Sequence, residues 1–171
     1  DGFDKLVIVF EGAIVASPDL SSIELIDLSF NGESTLNFSN VLDVNTVNIL
    51  ESSSGVSLKD LPFDLRNFTV SESQAGSWSI MFEDNADSNV DLNWSNNTGT
   101  NVVLTDILFN EVKSLAITVD GANDVNLGSL AIDPDDTKLT SFINTGDGNL
   151  IISGGSNLDT FDAINAISLT T

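Results

Sequence analysis

Short apolar runs alternate with polar bends along the whole chain, and the alternation recurs. Runs such as TLNFS, GVSLKD, SWSIMF, VVLTDIL, VNLGSLA and NLIIS are each followed by a bend. A second run comes next, for example TVNIL, NFTV, NVDLNW, SLAITV or KLTSFI. Within the runs apolar and polar residues alternate with a period of two, which predicts half-buried strands. No segment keeps apolar residues at helical spacing over a dozen positions, so almost no helix is expected.

The recurrence has a measurable period. One glycine series falls at Gly12, Gly32, Gly55, Gly76, Gly99, Gly121 and Gly146, stepping 20, 23, 21, 23, 22 and 25. An aliphatic series follows it at Ile14, Leu36, Leu58, Ile80, Leu104, Leu127 and Leu150, stepping 22, 22, 22, 24, 23 and 23. A third runs about ten residues behind, at Ile23, Val47, Phe68, Val90, Leu115 and Leu139. Units of this size cannot bury a hydrophobic face alone, but stacked about 4.8 Å apart they pair strands in parallel and share one core.

The fold expected is therefore all-β, a parallel β-solenoid of about seven coils of 22–25 residues, with residues 1–171 forming one elongated domain. Two alternatives stand beside it. A β-sandwich would explain the period-two runs but not glycine and anchor advancing together. A leucine-rich-repeat-like solenoid fits VNTVNI, LRNFTV and VKSLAI, yet Ser52, Ser73, Ser95 and Asp120 stand where its asparagine ladder would be.

Charge narrows the function. The chain carries 26 Asp and Glu against 5 Lys and Arg, a net charge of −21, and has neither His nor Cys. Affinity for phosphate backbones comes mainly from Lys and Arg, so no nucleic-acid partner is expected. The usual ligands of zinc, copper and iron are missing, as are His- and Cys-based nucleophile systems and disulfides. No run of about 18 apolar residues is present, so membrane insertion is not expected. The start DGFDKLVIVF lacks the positive n-region of a secretory signal, which suits an excised or mature fragment. Absence of cysteine together with abundant Asn, Ser, Thr and Asp suits an extracellular, cell-surface setting.

Many acids recur at equivalent places. Asp19, Asp43, Asp64, Asp87, Glu111, Asp136 and Asp159 occupy the bend after the first strand, and Asp124 and Asp147 lie 23 apart in the glycine turn. If these stacked, neighbours about 5 Å apart would repel by about 1 kcal/mol each in water and by more in a lower dielectric. Two remedies exist: the side chains splay into solvent, or Ca²⁺ sits between layers on carboxylate and carbonyl oxygens. The cofactor expected is Ca²⁺, with Asp124, Asp136 and Asp147 among its candidate ligands.

The string GGSNLDTFD, 154–162, resembles the RTX nonapeptide G-G-x-G-x-D-x-U-x, with Asn157 replacing the third glycine. Together with TGDGNLII before it, it makes 146–162 a degenerate RTX-like segment. The resemblance implies Ca²⁺ held at Gly154, Gly155, Asn157 and Asp159, with Asp162 a neighbouring candidate. The strand repeats ending in such a segment are similar to the β-solenoid regions of bacterial surface-layer proteins and of type I-secreted RTX adhesins. That similarity implies a structural, self-associating coat component, stiffened by calcium after export and contacting a lattice or neighbouring domains of the same protein.

Three further readings complete the sequence. Paired carboxylates could serve a polysaccharide-processing solenoid enzyme, but one Arg, four Lys, no Tyr and no His leave little to bind an acidic sugar, so no catalysis is expected. Trp78 and Trp94 would offer a glycan-stacking platform if exposed near each other; in strand-like SWSI and LNWS they equally suit the core. Sequons occur at Asn37, Asn67, Asn93 and Asn96.

Overall fold

The protein is described by a computed structural model over residues 2–71, 74–83, 90–96, 102–110, 112–119, 124–132, 141–152 and 154–156. The chain is a parallel β-solenoid. In chain order its strands are β1 (Lys5–Phe10), β2 (Ile14–Ala16), β3 (Leu25–Phe30), β4 (Ser34–Asn37), β5 (Thr46–Ser52), β6 (Val56–Leu61), β7 (Asn67–Val70), β8 (Ser77–Phe82) and β9 (Val90–Asn96). They continue as β10 (Val102–Val103), β11 (Asp106–Asn110), β12 (Val112–Val119), β13 (Asp124–Asn126), β14 (Ser129–Ile132), β15 (Ser141–Thr145), β16 (Asn149–Ile151) and β17 (Gly154–Ser156).

Strands β1, β3, β5, β7, β9, β12 and β15 form one seven-stranded sheet, and β2, β4, β6, β8, β11, β14 and β17 form another. One strand from each makes a rung. All described strand pairs are parallel, which excludes the sandwich, and no helix occurs among the described residues. Among the described residues no helix is therefore long and apolar enough to cross a membrane.

Alternation within the strands builds the core. Ile26, Leu28 and Phe30 of β3 point between the sheets, as do Val47 and Ile49 of β5 and Leu58 of β6, all essentially without solvent contact. Removing each such side chain from water contributes about 1.5–3 kcal/mol. In-register stacking appears where the periodicity placed it: Leu36, Leu58 and Ile80 are consecutive partners, and Val47 pairs with Phe68.

The series slip on either side of these columns, because rung length is not constant: Ala16, not Ile14, pairs with Leu36, and Ile26, not Ile23, with Val47. Phe68 pairs with Trp94, a step of 26, and Ile80 with Phe109, a step of 29. Leu104 and Leu127 therefore leave the column of Ile80. They flank a third, three-stranded sheet, β10-β13-β16, that occupies the corner between the long sheets in the later rungs. In earlier rungs the same corner is held by single bridges from Ser52 to Gln74 and from Gln74 to Val102.

Glycine at the corner answers to close approach. A Cβ on Gly76, whose φ is +89°, would lie 2.6 Å from both the Gly55 nitrogen and the Ser54 carbonyl carbon. One on Gly32 would lie 2.5 Å from the Ala13 nitrogen and the Gly12 carbonyl carbon. Successive glycines of the series thus stack backbone on backbone, an approach that a side chain forbids.

Candidate functional site: the acid and amide ladders

Outward positions of β3, β5 and β7 carry short polar side chains, and parallel pairing aligns them in columns along the rod. The longest runs Asp27, Asn48, Thr69, Ser95, Thr118, Thr145. Asn48 Nδ2 donates to Asp27 Oδ1 at 2.7 Å, and Lys5 Nζ reaches Asp27 Oδ2 at 2.5 Å. Thr69 and Ser95 hydroxyls lie 3.3 Å apart, those of Thr118 and Thr145 2.9 Å. Asp27 is buried, so a carboxylate shielded from water has both oxygens occupied, as burial of a charge requires.

Five other described acids follow the same rule. Glu24 accepts from the Asp4 amide at 2.8 Å, Glu11 from Asn31 Nδ2 at 3.2 Å, and Asp60 from Asn37 Nδ2 at 2.5 Å. Asp106 accepts from the Ser77 hydroxyl at 2.8 Å and Asp124 from Asn149 Nδ2 at 2.7 Å. In each case the donor sits one rung away. Acid opposite amide or hydroxyl replaces repulsion with a charge-assisted hydrogen bond, worth about 1.5–3 kcal/mol.

This corrects the stacked-acid expectation for Asp19 and Asp43. The bridge of Leu20 to Val41 sets Asp19 in step with Asn40, while Asp43 lies over Ser22 and accepts its amide at 3.2 Å. Asp19 and Asp43 are thus not a pair. Asp64 keeps the 21-residue step from Asp43 that joins Thr46 to Asn67. Asp43 (φ 72°) and Asp60 (φ 52°) also hold left-handed backbone, a second reason for an acid there, since Asp tolerates that region better than most residues. Asp87, Glu111, Asp136 and Asp159 lie outside the described residues.

Of the candidate calcium ligands, Asp124 and Asp147 are described. They are not register partners: Asp124 aligns with Asn149, a step of 25, and Asp147 lies two residues earlier and exposed. The backbone at Gly154 and Gly155 runs in β17, paired with Ser129 and Leu130, where the RTX reading expected a ligand turn. Asp136, Asn157, Asp159 and Asp162 lie outside the described residues. Among the described residues no three carboxylates gather at one point.

Trp78 and Trp94 require a correction. Each ring is 1% exposed, and the two lie 5.8 Å apart inside the solenoid, with Phe68 5.3 Å from Trp94 and Phe109 edge-on at 6.3 Å. Neither presents a face to a sugar. Their period-two placement in β8 and β9 sends them inward, the same signal that marks Ile80 and Leu92 as core.

Sequence reasoning missed a shallow groove of about 380 Å³ on the outer face of the second sheet. Its floor is the column Thr35, Ser57, Ser79, with Glu33 and Ser77 beside it. The alternate positions of TLNFS, GVSLKD and SWSIMF carry that signal in sequence. Its hydroxyls and one carboxylate offer hydrogen bonds to water or a polyol. Comparison of the chain with protein-family models, curated proteins and solved structures finds no match.

Proposed function

We propose that the chain is a non-catalytic structural segment of an extracellular coat or adhesin-type surface protein, of the surface-layer or RTX-secreted kind, and that it works as a stiff acidic rod that self-associates. One observation carries this reading. The outward polar side chains are spent on each other, rung to rung, as in Asp27 with Asn48 and Asp124 with Asn149, so the surface chemistry holds the rod together. A net charge of −21 on such a rod keeps it soluble until partners are aligned.

Calcium enters in reduced form. For Glu11, Glu24, Asp60 and Asp106, neighbouring amides and hydroxyls do the work that a cation would otherwise do, and Asp124 already has a donor at 2.7 Å. Calcium binding is proposed for the carboxyl-terminal stretch alone, through Asp147, Asn157, Asp159 and Asp162, where it would supply charge neutralisation and oxygen-ligand cross-links.

A calcium titration followed by circular dichroism and light scattering tests both parts. Added Ca²⁺ should raise the melting temperature and promote assembly, and Asp147→Asn combined with Asp159→Asn should remove that response. An unchanged melting curve removes calcium from the account; scattering that never rises with concentration removes the coat-forming role.

A further inference from the structure

The outer face of the second sheet is sparsely charged over three consecutive rungs, in a chain whose net charge is −21. Thr35, Ser57 and Ser79 form its central column. Glu33, Gly55 and Ser77 flank that column on one side, Asn37 and Lys59 on the other. The groove of about 380 Å³ lies over the central column and the Gly55 side. Gly55 keeps it open: a Cβ there would lie 3.1 Å from the Ser77 carbonyl oxygen and 3.6 Å from Glu33 Cγ, so the Glu33 side chain borders the gap.

Two charges on this face are unspent. Lys5 is paired with Asp27 and Arg66 holds the Phe63 carbonyl, whereas Lys59 is exposed and makes no ion pair among the described residues. Glu33 is exposed and likewise has no side-chain partner among them. Asp60, beside Lys59, is taken by Asn37. Glu33 and Lys59 stand on opposite flanks of the central column, four residues or about 13 Å apart along the strand direction, so they do not meet within one chain.

A second copy brings them together. Given a half-turn about an axis parallel to the rod and laid face to face on the first, it sets each central residue opposite itself and Lys59 opposite Gly55 of the other copy. Packed sheets lie about 10 Å apart. Across that distance the ammonium enters the gap over Gly55, next to the Glu33 carboxylate, and the exchange occurs twice. A half-turn about the strand direction instead sets Lys59 over Lys59. Moving the axis to either flanking column sets Lys59 over Lys59 or carries it past Gly55.

We propose that two copies of this chain join through the outer face of the second sheet, with Lys59 of each seated in the groove of the other beside Glu33. The contact gives a specific surface to the self-association proposed above and rests on that reading. Small side chains in the central column let the faces approach, and the charge exchange fixes their orientation more than their affinity. A twofold contact closes on itself, so this face makes a pair. The two rods run in the same direction, as neighbours standing on one surface do.

Sedimentation at about 0.15 M salt, where a Debye length of about 8 Å limits repulsion between the rods, tests the contact. The unmodified chain should dimerise with concentration. Lys59→Glu and Glu33→Lys should each weaken dimerisation by about tenfold or more, since like charges then face each other, with melting temperatures unchanged because both positions are exposed. The chain carrying both substitutions should dimerise again, and so should a mixture of the two single variants, in which each altered charge meets its complement. Since the chain has no cysteine, Ser57→Cys reports the orientation: a short bismaleimide should join it to itself, but not Asn67→Cys on the outer face of the first sheet. Single variants that dimerise like the parent, a double variant and a mixture that both stay monomeric, or cross-linking at Asn67→Cys in place of Ser57→Cys overturn this contact and leave self-association standing through another surface. An unmodified chain that remains monomeric at every concentration overturns both.

Discussion

Asn48 lies one rung beyond Asp27 and donates its side-chain amide to a carboxylate that is only 3% exposed. The pair shows one way that so acidic a chain stacks: a neutral amide of similar size takes one carboxylate oxygen, while Lys5 takes the other. Asn48→Ala is expected to lower stability by about 1.5–3 kcal/mol, the value of a hydrogen bond to a charged group. Asn48→Asp, which sets two carboxylates against each other, should cost more. Urea denaturation of the three proteins gives the order.

Asp43 separates charge from backbone geometry. Its left-handed φ of 72° and its bond to the Ser22 amide need a short side chain with an acceptor oxygen, not a negative charge. Asp43→Asn should therefore melt with the parent protein, while Asp43→Val should lose about 1–2 kcal/mol to backbone strain. Equal losses from both would mean that the charge itself is needed.

The glycine column predicts a localised lesion. Gly76→Ala should cost about 1–2 kcal/mol in backbone strain and about 1–3 kcal/mol more from overlap with Gly55 and Ser54. Gly2→Ala, with open space around it, should change nothing. Thermal melts of the two variants supply the comparison.

The two tryptophans should differ when each is replaced by phenylalanine. Trp78 Nε1 donates to the Ala75 carbonyl at 3.2 Å, whereas Trp94 Nε1 is buried without a hydrogen-bond partner among the described residues. Trp78→Phe should then cost about 1 kcal/mol more than Trp94→Phe. Either residue changed to alanine should lose about 3–5 kcal/mol, and the native fluorescence should be that of indoles out of water.

Much of this architecture is legible in sequence, and the limits have physical causes. TVNIL, NFTV and SWSIMF fall on β5, β7 and β8 because period-two alternation is what a strand with one buried face requires. The columns Leu36–Leu58–Ile80 and Val47–Phe68 follow from constant spacing. Counting fails at Trp94 and Phe109, where rungs lengthen by several residues and the register moves with the backbone, not with the nearest aliphatic residue. VVLTDIL and VNLGSLA each read as one strand but divide around a corner, into β10 and β11 and into β13 and β14. Asp19 with Asp43, and Asp124 with Asp147, fall out of step for a related reason. Steps of 20 to 29 residues mean that similar spacing does not make two carboxylates neighbours, and the choice of Asn48, Asn37 or Asn149 as a partner is made by hydrogen-bond register.

Parallel stacking in which, within each long sheet, every described strand pairs only with those of the adjoining rungs also sets how the molecule answers a pull. Tension between the two ends meets no strand that ties distant rungs together, so the coil should unreel from an end, one loop at a time. Each loop of 20 to 29 residues would free about 70–100 Å of slack before the next takes the load. A thread built this way absorbs stretching in instalments and rewinds from whatever remains coiled.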